Sequence, residues 1–148
     1  MIKFIKKAQQ DYIAAKMYDQ KVLWSEVDGG VCITDTEGTA LYHIPDQYLY
    51  IKLQEKDKSP GLKSIYEKDD GYKPATYKGC TVDGLHIFTA DGVTVIARQK
   101  VAKQFLVVKG AQFKIKGEKD PIRCYTETGY FLGLFMPTSQ DPNRSYEL

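Results

Sequence analysis

Only two histidines and three cysteines occur among the 148 residues, and each scarcity closes a class of explanation. His43 and His86 fall on expected strands with no catalytic motif around either, so both read as structural. Cys32, Cys80 and Cys124 form an odd set without a C-x-x-C spacing. That argues against a disulfide framework or a zinc site and, with two of the three in apolar strands, favours buried free thiols in a reducing compartment. No G-x-x-x-x-G-K-[ST], G-x-G-x-x-G after a strand, or G-x-S-x-G is present, so phosphate-loop, dinucleotide and nucleophile-elbow chemistry have no signature here. Thr34-Asp35-Thr36-Glu37-Gly38 holds acids in a loop but lacks the calcium-loop spacing and its closing glutamate, which makes it a turn. The expectation is a protein that is not an enzyme, with no catalytic residue, metal or cofactor. No apolar run approaches the ~20 residues of a membrane helix. The N-terminal lysines are not followed by the apolar core of a signal peptide. A cytoplasmic protein without membrane contact is expected.

What the chain does have is a globular composition with unevenly placed charge. At 43% hydrophobic and 27% charged residues, it reads as one domain able to bury a core without staples. The net charge of +2 conceals three blocks. Met1 to Lys21 carries five lysines against two acids. Val22 to Asp70 carries five lysines against ten acids. Arg98 to Lys116 carries six basic residues, Arg98, Lys100, Lys103, Lys109, Lys114 and Lys116, and no acid. Such a molecule can attract polyanions on one face and repel them on another.

The basic C-terminal block sits on a readable series of elements. Val101, Ala102, Phe105, Leu106 and Val108 recur at helical spacing, with Lys100, Lys103 and Gln104 turned the other way, and Gly110 ends the helix. Strands follow at Gln112 to Lys116, Ile122 to Glu127 and Tyr130 to Met136, with Phe105, Leu106, Ile115, Leu132 and Leu134 as core. An N-terminal helix within Met1 to Asp19 buries Ile5, Ala8, Tyr12 and Ala15. It turns Lys3, Lys6, Lys7 and Gln10 outward, joined by Lys21 if the helix runs so far; Ile2 to Ile5 could instead be a short strand. Four Asp-Gly steps punctuate an antiparallel pattern. Strands are expected at Val22 to Trp24, Val31 to Thr34, Ala40 to Ile44 and Tyr48 to Leu53, and again at Thr76 to Val82, Leu85 to Thr89 and Val93 to Ala97. Residues 54–77, with one short helix over Leu62 to Lys68, read as an irregular excursion. The fold class is α+β: two helices packed on one side of antiparallel β-sheet, either one sheet or one split in two.

Two helices that show lysines outward would present a positive surface able to follow duplex phosphates without reading bases. Lys3, Lys6, Lys7, Lys100 and Lys103 are the candidate DNA-binding residues, whereas lysines in the acidic middle are not.

The run from Gln99 through Asp120-Pro121-Ile122-Arg123-Cys124-Tyr125 to Tyr130-Phe131-Leu132-Gly133-Leu134-Phe135-Met136-Pro137-Thr138 resembles the last half of a domain of the bacterial DNA sliding clamps, the beta subunit of DNA polymerase III. Met1 to Pro45 resembles the first half of that domain more weakly. The resemblance implies a clamp-like domain and a processivity-factor-like role in DNA replication. In that family helices line a central hole and sheets form the outer wall of a ring that slides on duplex DNA. A single-domain chain would need about six copies for a ring, hence a homo-oligomer, of the kind a phage or another mobile element carries. The resemblance also implies a pocket for a peptide of a polymerase or another replication protein, formed here by Thr34, Asp35 and Leu41 with Phe135, Met136 and Pro137. The alternative is a small protein-interaction or inhibitory module that keeps the clamp-like fold without binding DNA.

Overall fold

The structure is a computed structural model and describes residues 1–147. It has the expected α+β composition, and its chain divides between Asp69 and Asp70 into two compact units. The first holds helix α1 (Ile2–Met17), strands β1 (Trp24–Val27), β2 (Gly30–Thr34) and β3 (Ala40–Pro45), and a short helix α2 (Leu62–Glu67). The second holds β4 (Lys73–Cys80), β5 (Leu85–Ala90), β6 (Val93–Arg98), helix α3 (Gln99–Leu106), β7 (Gln112–Ile115), β8 (Ile122–Tyr125) and β9 (Phe131–Phe135). Each unit contains a helix followed by a three-strand antiparallel meander: α1 with β1 to β3, and α3 with β7 to β9. No helix of the described residues is long and apolar enough to cross a membrane.

In the first unit, α1 forms because its apolar residues keep helical spacing. Phe4, Ile5, Ala8, Gln9, Tyr12 and Ala15 are buried. The Phe4 ring meets Tyr42 of β3 edge-on at 5.6 Å. Ile2 to Ile5 is helical, so the short strand weighed there is not formed. The helix stops at Met17, with Asp19 at φ 53°, and Lys21 therefore lies beyond it and does not share its face. The β1–β2 turn runs through Asp28-Gly29, after which Gly30 is obligatory: a Cβ there would stand 2.2 Å from the Ile44 carbonyl oxygen. The first strand begins later than expected, at Trp24, while β2 and β3 match their expected cores.

The strand expected over Tyr48 to Leu53 does not form. Asp46–Tyr48 is instead a 3-10 turn, and the segment docks on a side chain of α1. Gln9, fully buried, donates its Nε2 to the Tyr48 carbonyl at 2.9 Å and accepts the Tyr50 N–H on Oε1 at 2.9 Å. One carboxamide supplies both a donor and an acceptor, as a neighbouring strand would. The following turn, Glu55–Asp57, is also anchored: Tyr12 Oη accepts the Gln54 N–H at 3.0 Å, and Trp24 Nε1 donates to the Gln54 carbonyl at 2.7 Å. The irregular stretch is shorter than expected at its far end, because β4 starts at Lys73 and not near Thr76.

The second unit has strand order β9-β8-β7-β4-β5-β6, all antiparallel. Its core is aromatic. Phe105 stacks on Phe135 with centroids 4.9 Å apart, and Phe135 meets Phe88 and Phe113 edge-on. Phe105, Ile115, Leu132 and Leu134 are buried as expected. Leu106 is not: α3 ends there, short of Val108, and its last residue is half exposed. The chain leaves the helix through Gly110 at φ 73°, a conformation open to glycine at little cost.

The thiols divide by position. Cys32 and Cys124 are buried on β2 and β8, whereas Cys80 is exposed on β4. Burial pushes the Cys32 thiol up to about 11 and raises Cys124 further. Since the thiolate is the reactive form, a thiol reagent should modify Cys80 at once and the other two only on unfolding. Mass spectrometry of a labelling time course checks this, and prompt native labelling of Cys32 or Cys124 would contradict the core assignment.

Candidate nucleic-acid interface

The five candidate lysines are distributed three and two. On α1, Lys3, Lys6 and Lys7 are exposed together with Gln10, because steps of three and four residues return to one helix face. Lys7 lies 3.2 Å from Asp11 in an i,i+4 pair, with the two side chains 57% and 47% exposed. A pair so hydrated holds its cation weakly. Lys16 belongs elsewhere: its Nζ lies 2.9 Å from a buried carboxylate, Asp57. On α3, Lys100 and Lys103 are exposed one turn apart, opposite the buried Ala102 and Phe105.

The helix ends add to this electropositive character. Neither α1 nor α3 has an acidic residue in its first turn, and Arg98 at the N-cap of α3 gives no side-chain cap bond. Cations near a helix N-terminus oppose the helix dipole. At α3 the Gln99 N–H is taken by the Gly84 carbonyl at 3.0 Å, and the other N–H groups of that first turn, beside Lys100, have no side-chain cap that an anion would have to displace.

The remaining cations of the basic block leave the helix face. Arg98 Nε donates to Thr138 Oγ1 at 3.2 Å. Lys114 projects from β7 over the Tyr125 ring, 4.7 Å from its centroid. Six basic residues contiguous in sequence thus contribute two lysines to the α3 face. Sequence reasoning missed Arg123, a buried arginine whose guanidinium lies 4.2 Å from the Phe131 ring centroid and whose Nε donates to Tyr125 Oη at 2.9 Å. Its role is local packing, and nothing in the spacing of β8 could have signalled it.

The six residues expected to form a peptide pocket fall three in each unit. Thr34 and Leu41 are cross-strand partners on β2 and β3. Leu41 is buried, and Thr34 Oγ1 accepts the Leu23 N–H at 2.9 Å. Asp35 folds back on its own loop, accepting the Thr39 and Ala40 N–H groups on Oδ1 at 2.7 and 3.1 Å. That is the carboxylate of a turn. In the second unit Phe135 is fully buried among aromatic rings, and Met136 is 39% exposed at the strand end beside a half-buried Pro137.

His86 is buried, with Nδ1 2.7 Å from Tyr77 Oη, and desolvation lowers its pKa. Its ring stacks on Tyr77. His43 stands half-buried on β3 against the Tyr66 ring. Among the described residues no three His, Cys, Asp or Glu side chains converge as a metal cluster. Comparison with protein-family models, with curated proteins and with solved structures finds no match for this chain.

Proposed function

We propose that the chain is a non-enzymatic, clamp-like module that associates with duplex DNA through the outward lysines of α1 and α3. The observation that carries this reading is that each unit's main helix turns lysines to solvent with no acid in its first turn. Lys3, Lys6 and Lys7 on one helix and Lys100 and Lys103 on the other would pair with phosphate oxygens. Neither face offers the set of Asn, Gln and Arg that reads base edges, so binding is independent of sequence. The twofold occurrence of a helix and a three-strand meander supports the sliding-clamp resemblance. Processivity by a closed ring, and a replication peptide held beside Met136, belong to that same proposal.

Titration of two duplexes of unrelated sequence at low salt tests it. Equal affinities that fall steeply with added salt are expected. Retention on closed circles, with loss from linear duplexes, would identify a ring. Equal binding to both topologies would identify an open basic face. Absence of binding to either, by folded protein, would refute the DNA reading and favour a protein-interaction module.

A further inference from the structure

Strand β6 lies at one end of the second unit's strand order, and its free side is occupied by the chain's own tail. Thr138 N–H donates to the Ile96 carbonyl at 2.8 Å, and Gln140 Nε2 donates to the Thr94 carbonyl at 2.6 Å. Thr94 and Ile96 stand two apart, so they turn their backbone groups to the same side, the side away from β5. The tail satisfies those two carbonyls with only one backbone bond, and thus blocks the strand without extending the sheet. Beyond Gln140 it is fastened at Arg144, whose guanidinium grips Asp83 of the β4–β5 turn through two bonds of 2.7 and 2.9 Å. Arg144 also covers the Tyr146 ring, whose Oη accepts the Asp141 N–H at 2.8 Å.

The guarded segment is one that needs a guard. Val93-Thr94-Val95-Ile96-Ala97 has no glycine, proline or charge and is rich in β-branched residues, the composition of edge strands that pair with further chains. We infer that the tail is a releasable strap over a self-association edge, and that β6 of a second copy of this chain occupies the edge when the strap lifts. The register centred on Val95 engages the outward groups of both residues at once. A twofold antiparallel pairing that uses the free groups of Thr94 and Ile96 sets Thr94 opposite Ile96 of the other copy and Val95 opposite Val95. Each Thr94 N–H then reaches an Ile96 carbonyl, and each Ile96 N–H a Thr94 carbonyl. Arg98 lies opposite Gly92, so no like charges meet. The fastening is a two-point ion pair that lies in solvent, its side chains 37% and 50% exposed, so water can replace it and the strap can exchange with a competing strand.

Sedimentation of the full chain over a wide concentration range tests this. Arg144→Glu combined with Gln140→Ala removes the fastening and one edge bond. It should shift the monomer–dimer midpoint to concentrations about tenfold lower than in the unmodified chain, because the fraction of open edge rises. Adding Thr94→Pro deletes one outward N–H while sparing the β5 ladder, and should abolish the gain. Asp83→Asn opens the same fastening from its other end and should give the same direction of shift. Circular dichroism verifies the fold of each variant. Unchanged association in both folded release variants would overturn the proposal, as would a gain that survives Thr94→Pro.

Discussion

Replacing Phe105 by alanine is expected to cost about 3–5 kcal/mol of folding stability, the range of large aromatic truncations in cores. Phe105 is the residue through which α3 enters the aromatic core: it is wholly buried and stacks on Phe135, which in turn contacts Phe88 and Phe113. Removing one ring leaves a hole bounded by rigid rings and strand backbone, which collapse poorly around a void. Phe105→Leu refills much of that volume and should cost clearly less. Denaturant unfolding of the three proteins measures this. A loss below about 1 kcal/mol for the alanine variant would mean that the stack does not hold α3.

Asp57→Ala should be about as damaging, at about 3–5 kcal/mol, for an electrostatic reason. The Lys16 and Asp57 side chains are 12% and 9% exposed and meet at 2.9 Å, and Tyr12 Oη donates to the same carboxylate oxygen at 3.2 Å. Deleting the carboxylate leaves an ammonium in a desolvated site and a phenol without its acceptor. Lys16→Met with Asp57→Leu removes both charges together and should recover most of the loss, since a well-packed apolar pair replaces a buried ion pair at little cost. The same unfolding experiment separates the cases. If the single and double variants are equally mild, water screens the pair and the Glu55–Asp57 turn is not fastened by it.

These two sites differ in how far the sequence announces them. Phe105 was legible because Val101, Ala102 and Phe105 repeat at helical spacing ahead of a glycine, a local signal that packing reinforces. The Lys16–Asp57 pair was not, for its members lie on different elements and no pattern within either one points to the other. The failed strand at Tyr48 to Leu53 has the same origin. Its alternation is real, but register along a strand is settled by partners, and here Gln9 of α1 supplies them. Gln9 itself gave no warning, being a polar residue on what turned out to be the buried face of α1. The candidate interface was partly legible. Outward lysines follow from helical period alone, whereas contiguity in sequence overstated the basic block by counting Arg98 and Lys114, which turn to Thr138 and Tyr125. The strap over β6 left no trace in hydrophobic pattern, because its bonds use carbonyls and a polar tail.

The most direct test of the proposed function is the salt dependence of duplex binding, measured for the unmodified chain and for the variant Lys6→Glu, Lys7→Glu, Lys100→Glu, Lys103→Glu. Each lysine–phosphate contact adds a slope of roughly −0.9 to the logarithm of affinity against the logarithm of salt. The unmodified protein should give a slope of about −3 or steeper, and the folded variant should not bind. Reversal of Lys56 and Lys63, which lie in the acidic stretch and of which Lys63 faces Glu67 at 3.7 Å, should leave the line in place. A flat line for the unmodified protein, or a folded α1 and α3 variant that binds as before, would contradict the assignment of these helices to DNA.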